Sequence, residues 1–223
     1  MTAEPGGGQS RKSGDGEPSD LAPVQLRRLN RWLVEDLREE LSGLYVESRA
    51  TPPGDPYRRP SRQNFLNRLT VDMRRPGFAM VIAETDSLRG YAFGFPVGGD
   101  GSWWLGFDGA LPRSIEQLTA SGNVFAFADI LIRPHPQDRE LARRVQERLL
   151  TDHQASLGAT LVDRTDRPTL TTLRSWGWLD IGELRRPLGA TTFRALVLPL
   201  GERTTARLEG LVTMPGGGGP SGA

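Results

Sequence analysis

Leucines recur at steps of three and four residues through the first apolar stretch of the chain. This spacing places side chains on one helical face and predicts a helix from about residue 22 to residue 47. Four prolines then predict an irregular loop at residues 51–60. Ser61 is a suitable N-cap for a second helix that extends to Arg74. The leucine stripe comprises Leu26, Leu29, Leu33, Leu37, Leu41 and Leu44.

After Pro76-Gly77 the pattern changes from helical spacing to short, almost continuous apolar segments. Such segments predict buried strands, and the short connection at 86–88 predicts that the first two form a hairpin. Strands and helices then alternate, which indicates an α/β fold of the α+β type with a mixed sheet and a strand–helix–strand crossover at 124–162. We predict strands at 78–85, 89–97, 123–132, 159–162, 178–185 and 191–200, and helices at 112–120, 139–153 and 168–176.

The two ends of the chain differ in composition from its centre. Residues 1–20 hold hardly any apolar side chains, and the chain ends in a glycine- and proline-rich segment. Such segments bury too little surface to offset the entropy lost on ordering. We therefore predict a disordered tail at residues 1–20, one folded domain at residues 21–201 and a flexible tail at residues 202–223.

The chain carries 28 basic and 27 acidic side chains, so no strong net field marks a nucleic-acid or membrane binder. A single helix-turn-helix nucleic-acid module is a weaker alternative, against which this balance and the strand content argue. Cysteine is absent and only His135 and His153 are present, so we expect no metal centre. No segment resembles a signal peptide or a membrane span, and we expect a cytoplasmic protein.

The stretch that points to chemistry begins where the strand ends at Ile132. Prolines mark a short turn, and a helix begins within a few residues. Such a turn presents free backbone N–H groups at a helix N-terminus, where the helix dipole also favours an anion. A phosphate or pyrophosphate is the expected ligand. The loop alone equally allows an ordinary helix N-terminus with solvated charges.

This stretch resembles the acetyl-CoA pyrophosphate loop of the GNAT acyltransferase superfamily, whose signature is Gln/Arg-x-x-Gly-x-Gly/Ala. Gln137 takes the first position and Ala142 the last. The block from Asp166 to Trp178 resembles the family's Asn-x-x-Ala-x-x-Leu-Tyr-x-x-x-Gly-Phe, and upstream Gly90-Tyr-Ala-Phe-Gly94 is similar to its third strand. The resemblance covers about residues 24–200 and implies a GNAT fold.

The resemblance also implies a function, which is transfer of an acetyl or short acyl group from acetyl-CoA to an amine of a small molecule or a protein. A backbone N–H near Ile132 would contact the thioester carbonyl. Acceptor specificity would lie in residues 45–75 and 98–122, and a homodimer is possible. The implied cofactor-binding residues are Ile130, Leu131, Ile132, Gln137, Asp138, Arg139, Glu140, Leu141, Ala142 and Asp166.

Three residues depart from the family pattern. Glu140 stands in place of a glycine, Leu173 in place of a tyrosine that serves many members as a general acid, and Asp166 in place of an asparagine. A carboxylate 4 Å from a phosphate charge costs roughly 4 kcal/mol at an effective dielectric near 20. These departures support an alternative, a catalytically impaired GNAT-fold protein with a binding or regulatory role.

Two carboxylates are candidates for the general base that deprotonates the amine. Asp129 lies inside an apolar strand, where a carboxylate is costly unless it is paired or functional. The alternative for Asp129 is a structural ion pair with an arginine such as Arg133 or Arg164. Glu84, at the end of its strand, is the second candidate, and its alternative is an ordinary surface residue. Deprotonation through water is also possible.

Overall fold

The computed structural model describes residues 24–49, 61–134, 138–187 and 189–201, which form seven strands and six helices. The strands are β1 (Gln25–Leu29), β2 (Ala79–Glu84), β3 (Leu88–Pro96), β4 (Val124–Ile132), β5 (Leu157–Asp163), β6 (Leu179–Arg185) and β7 (Thr192–Pro199). The helices are α1 (Arg31–Asp36), α2 (Arg38–Ser48), α3 (Arg62–Met73), α4 (Arg113–Ala120), α5 (Asp138–Asp152) and α6 (Arg167–Ser175).

The strands form one mixed sheet in the order β1-β2-β3-β4-β5-β7-β6. Of the described neighbours, β4 and β5 run parallel and the other pairs are antiparallel. Helices α5 and α6 pack on one face, and α1, α2, α3 and α4 on the other. Side chains along each strand alternate between the two faces of the sheet. Val81 and Ala92 face α5 and α6, whereas Met80 and Tyr91 face α1 to α3.

The helix predicted over residues 22–47 is wrong at its beginning, where the structure has a first strand that the sequence pattern did not reveal. Leu26 and Leu29 lie in β1, which pairs antiparallel with β2 and places Leu29 opposite Met80. Asn30 then starts α1, because its side chain accepts hydrogen bonds from the N–H groups of Trp32 and Leu33. The regular leucine spacing therefore spans a strand, a cap and two helices.

The other predicted helices and strands are confirmed, with ends that differ by one or two residues. Ser61 caps α3 as expected, since its hydroxyl accepts from the N–H of Asn64. The predicted tails, the loop at 51–60, His135 and Gln137 lie outside the described residues. No helix in the described ranges is both long enough and apolar enough to cross a membrane.

The parallel pair at the centre of the sheet separates after a short ladder. Residues Val124–Ala126 of β4 pair with Leu157–Ala159 of β5, and no pairing is formed beyond them. The hydroxyl of Thr160 then donates to the carbonyl oxygen of Phe127 at 3.0 Å, so a side chain takes the place of the next backbone partner. Past this point β4 and β5 diverge toward their carboxyl ends.

Candidate functional site

The divergence of β4 and β5 opens a cleft of about 1060 Å³ at the carboxyl ends of the two strands. One wall, which we call the α2–α3 wall, comprises Tyr45, Ser48, Arg49, Ser61, Asn64, Asn67 and Arg68. The opposite wall, the α5–α6 wall, comprises Asp138, Asp163, Thr165, Asp166, Pro168, Thr169, Thr172, Leu173 and Trp176. Between them lie Ile130, Leu131, Ile132 and Pro134 from the end of β4.

A bulge in β4 determines which way Asp129 faces. Phe93 of β3 pairs with Asp129 and Gly94 pairs with Phe127, so Ala128 is an extra residue. The bulge reverses the alternation of side chains and places Asp129 on the same face as Tyr91. Gly94 permits this close approach, because a Cβ atom there would lie 1.8 Å from the carbonyl oxygen of Ala126.

Asp129 is a buried carboxylate between β4 and the α2–α3 wall, with 8% of its side chain exposed. Its Oδ2 accepts a hydrogen bond from the Tyr91 hydroxyl at 3.3 Å, and its Oδ1 lies 3.4 Å from Nη2 of Arg49. Burial raises the pKa of Asp129 above its usual value, although Arg49 acts in the opposite direction. Burial also raises the pKa of Tyr91 well above its usual value, which keeps the phenol protonated as a donor.

The alternative for Asp129, an ion pair with an arginine, is present in the structure, but the partner is Arg49 at the end of α2 and not Arg133 or Arg164. Arg133 pairs with Glu47, and Arg164 lies 3.8 Å from Glu183. The Nη1 of Arg49 also lies 3.9 Å from the carboxylate of Asp166. Burial by itself lowers the pKa of Arg49, but the neighbouring Asp129 holds it above its usual value.

Free backbone groups line the β5-facing edge of β4 beyond the ladder. The N–H of Arg133 donates to the carbonyl of Arg89 on β3 at 2.8 Å. Because backbone groups alternate between the two edges of a strand, those of Ile130 and Ile132 face away from β3. Within the described residues no strand pairs with this edge. The N–H of Ile130 contacts the carboxylate of Asp129, whereas the amide of Ile132 is available to a ligand in the cleft.

The first turn of α5 carries two acidic side chains with different environments. Asp138 lines the cleft. Glu140 does not line it; its carboxylate is bound by Arg143 at 2.7 and 3.0 Å, which lowers the pKa of Glu140, and 58% of its side chain is exposed. The charge at the glycine position of the family motif is therefore directed to a neighbour on the same helix. Of the other predicted cofactor residues here, Arg139 is exposed, Leu141 is half-buried and Ala142 is buried.

Helix α6 places two of the departures from the family pattern beside the cleft. Asp166 is its N-cap, and the carboxylate accepts from the N–H of Thr169 at 3.3 Å and from its hydroxyl at 2.8 Å. Leu173 lines the cleft with 4% of its surface exposed, and it packs in the core beneath α5 and α6. Leu173 offers no proton donor at this position.

Glu84, the second predicted base, lies at the end of β2 and not among the residues that line the cleft. Its two carboxylate oxygens accept from the guanidinium of Arg27 on β1 at 2.8 and 3.1 Å. This geometry is typical of a surface ion pair between neighbouring strands. Neither carboxylate is itself among the lining residues, but Asp129 contacts Arg49, which lines the cleft, whereas Glu84 pairs with Arg27 on β1.

The α2–α3 wall contains polar residues that the sequence patterns did not single out. The Tyr45 ring stacks on Phe65 with centroids 4.7 Å apart, and its hydroxyl accepts from Arg68 at 3.2 Å. Ser61, Asn64 and Arg68 follow one another at three- and four-residue steps along α3. That polar stripe, opposite the buried Phe65, Leu69 and Met73, is the signal in the sequence that could have located them.

Within the described ranges, no three histidine or acidic side chains come together as a metal site. No protein-family model and no curated protein matches the chain. Among solved structures the chain is similar to the aminoglycoside acetyltransferase AAC(6')-Ib in complex with coenzyme A. That similarity has a TM-score of 0.52 and 17% identity, and covers 84% of this chain and 99% of that one.

The same enzyme in complex with coenzyme A and kanamycin gives a TM-score of 0.50 at 18% identity, over 84% of this chain and 99% of that one. A GNAT-family acetyltransferase from Desulfovibrio desulfuricans gives 0.48 at 18% identity, over 79% and 99%. The chain therefore shares the fold of the AAC(6')-Ib acetyltransferase, and the GNAT-like fold that the sequence resemblance implied is confirmed.

Proposed function

We propose that this GNAT-fold protein is an N-acetyltransferase that transfers an acetyl group from acetyl-CoA to an amine of a small molecule or a protein. The observation that carries the proposal is the separation of β4 from β5 after three paired residues. It creates one cleft in which the free edge of β4 and the N-terminus of α5 lie together, with the buried carboxylate of Asp129 in contact with Arg49 of the α2–α3 wall. The similar AAC(6')-Ib structures, which contain coenzyme A, support the same class of reaction.

The residues at the β4–α5 side fit an acyl-CoA. The carbonyl of Ile130 and the amide of Ile132 suit the amide groups and the thioester carbonyl of an extended arm. The N-terminus of α5 offers N–H groups and a favourable dipole to a pyrophosphate. Leu173 and Trp176 give the α6 side an apolar surface. The participation of Gln137, Asp138, Arg139, Glu140, Leu141, Ala142 and Asp166 in cofactor binding stays a prediction.

Asp129 is the proposed base. Acetyl-CoA supplies the acetyl group as a thioester, so a C–N bond forms as the C–S bond breaks and CoA leaves with a proton. The acceptor amine must lose its proton, and a carboxylate with a raised pKa is a better acceptor for it than an ordinary one. Asp129 contacts Arg49, which lines the cleft, so a base there and an acyl group at the end of β4 would be held near each other. Tyr91 and Arg49 fix the orientation of the carboxylate.

The experiment that tests the proposal combines binding and turnover. Acetyl-CoA is titrated into the protein by calorimetry, and CoA release is then followed with a panel of amines. Micromolar binding together with amine-dependent release supports the proposal. The absence of any acetyl-CoA binding would remove it and leave the fold alone.

A binding or regulatory protein without catalysis is the second candidate, and Leu173 favours it. Leucine stands where a proton donor for the departing thiol would be expected, and it is buried in the core beside the cleft. Acetyl-CoA binding without CoA release, for any amine, would favour this candidate. A cytoplasmic location and a homodimer stay predictions from the sequence.

A further inference from the structure

We infer that the α2–α3 wall binds an anionic group of the acceptor, so that the substrate is an amine that also carries a carboxylate or a phosphate. The inference rests on the proposed function and names the substrate class for the same cleft. Its centre is Arg68 on α3, with Ser48, Arg49 and Asn67 beside it.

Arg68 lines the cleft and forms no ion-pair contact in the described ranges, although the carboxylates of Asp72 and Asp129 are near enough to interact with its charge. Its guanidinium donates a hydrogen bond to the neutral hydroxyl of Tyr45 at 3.2 Å, and in the described part of the chain no carboxylate oxygen lies within 4.0 Å of it. Arg62 on the same helix shows the contrast, because it is paired with Glu39 outside the cleft. Arginine is suited to bidentate recognition of carboxylate and phosphate oxygens.

The Arg68 side chain is held in position before any ligand arrives. Its guanidinium carbon lies 5.6 Å from the centroid of the Tyr45 ring, and that of Arg49 lies 5.3 Å from the same centroid. Tyr45 is itself fixed by stacking on Phe65. Holding a flexible cation in place lowers the entropy lost when an anion binds.

Two neighbouring polar groups also lack a complete set of partners. The hydroxyl of Ser48 is buried and has no hydrogen-bond partner in the described ranges. Asn67 accepts a hydrogen bond from Gln63 through its oxygen at 2.9 Å, which leaves its amide N–H groups as donors toward the cleft. The amide of Asn67 therefore adds neutral donors beside Arg68 at this wall.

Positive and negative side chains lie on opposite walls of the cleft. The described α2–α3 wall contributes Arg49 and Arg68 and no carboxylate, whereas Asp138, Asp163 and Asp166 all lie on the α5–α6 wall. Arg49 is already held by Asp129 and Asp166, so Arg68 is the cation of this wall that an extra positive charge on the acceptor would oppose. An amine with an anionic group instead places its nitrogen at the free edge of β4, near Asp129, and its anion at Arg68.

The test compares acceptors in matched pairs that differ only in the anionic group. Amino acids are compared with their carboxamides, and phosphoethanolamine with ethanolamine, by kcat/KM for CoA release. We expect the anionic member to be better by about 10-fold or more, since hydrogen bonds to charged groups are among the stronger ones. The pair that shows the larger preference for its anionic member identifies the anionic group as a carboxylate or a phosphate.

Arg68→Gln removes the charge, and Arg62→Gln is the matched control on the same helix. In Arg68→Gln we expect the preference to fall to about 2-fold or less through a rise in KM, with kcat little changed, because a binding contact is lost. Arg62→Gln should retain the preference of the wild type. Equal use of both members of each pair by the wild type, with acetyl-CoA still bound, would overturn the inference and leave the proposed function intact.

A measurement without turnover tests the site even if the proposed function fails. The unfolding temperature is followed during titration with inorganic phosphate and with succinate, for the wild type and for both variants. A stabilisation that is lost in Arg68→Gln and kept in Arg62→Gln supports an anion site at Arg68. Identical titrations for all three proteins would contradict it.

Discussion

The two walls of the cleft carry opposite charges, and they use those charges differently. On the α2–α3 wall, Arg68 contacts a neutral hydroxyl and is available to a ligand. On the α5–α6 wall, Asp163 accepts from the N–H and hydroxyl of Thr165, and Asp166 caps α6. Both aspartates accept hydrogen bonds from backbone N–H groups, one in a turn and the other at the N-terminus of a helix. The sign of charge on a wall therefore does not by itself identify the ligand, because a carboxylate used as a cap has much of its hydrogen-bonding capacity occupied.

The largest expected effect is on the carboxylate between the walls. Asp129→Asn keeps the size of the side chain and the hydrogen bond from Tyr91 but removes the proposed base. We expect kcat to fall by about 10²- to 10⁴-fold, the usual contribution of general base catalysis. Steady-state assays of CoA release measure this fall in kcat.

The affinity for acetyl-CoA is the control for this variant and should change by less than about 2-fold, since Asp129 does not face the cofactor side. Glu84→Gln provides a matched carboxylate outside the cleft and should retain full kcat. Equal loss in both variants would contradict the assignment of Asp129.

The next effect concerns the point at which the walls separate. Thr160→Val removes the hydroxyl that donates to the carbonyl of Phe127. A buried acceptor left without a partner costs about 1–3 kcal/mol, so the free energy of unfolding should fall by that amount. Urea denaturation measures it. Thr160→Ser, which keeps the hydroxyl, should lose less; equal losses would show that the methyl group and not the hydrogen bond is responsible.

The acidic α5–α6 wall is tested by comparing the two acids in the first turn of α5. Asp138→Asn should tighten acetyl-CoA binding by about 3- to 10-fold, because it removes a negative charge from the cleft near a helix N-terminus. Glu140→Gln should change the affinity by less than about 2-fold, since Arg143 binds that carboxylate on the exposed side. Calorimetric titration of acetyl-CoA into both variants checks this prediction. A larger change in affinity in Glu140→Gln than in Asp138→Asn would place the Glu140 carboxylate at the cofactor.

The smallest effect is a pH dependence of stability. The folded state raises the pKa of Asp129, so between the usual value of about 3.9 and the raised value the folded protein binds more protons than the unfolded chain. Stability relative to Asp129→Asn should therefore decrease as the pH rises through this window and become constant above it. Urea denaturation of both proteins from about pH 4 to pH 8 checks the sign, and a relative stability that increases with pH would contradict it.

The sequence predicted the elements from α3 onward because apolar periodicity and turn residues agree there. It failed at β1, where the leucines of a strand and of two helices happen to continue one helical spacing. Asp129 could be singled out because a carboxylate inside an apolar strand is unusual. Its partners Arg49 and Tyr91 could not, since they are 80 and 38 residues away in the chain.

The bulge at Ala128 could not be predicted from the pattern of apolar and polar residues either. Strict alternation would have placed Asp129 on the face of α5 and α6, together with Phe125 and Phe127. One extra residue reverses that placement, and only the register with β3 reveals it. Similarly, Arg68 is one of many arginines in the sequence, and it is set apart by what surrounds it in the cleft.

The measurement that tests the central claim most directly is calorimetric titration of acetyl-CoA into the wild-type protein, with Glu140→Gly in parallel. The account predicts micromolar binding of one acetyl-CoA per chain, with little change in Glu140→Gly because Arg143 already holds that carboxylate away from the cleft. No binding by either protein would contradict the assignment of the β4–β5 cleft as an acyl-CoA site.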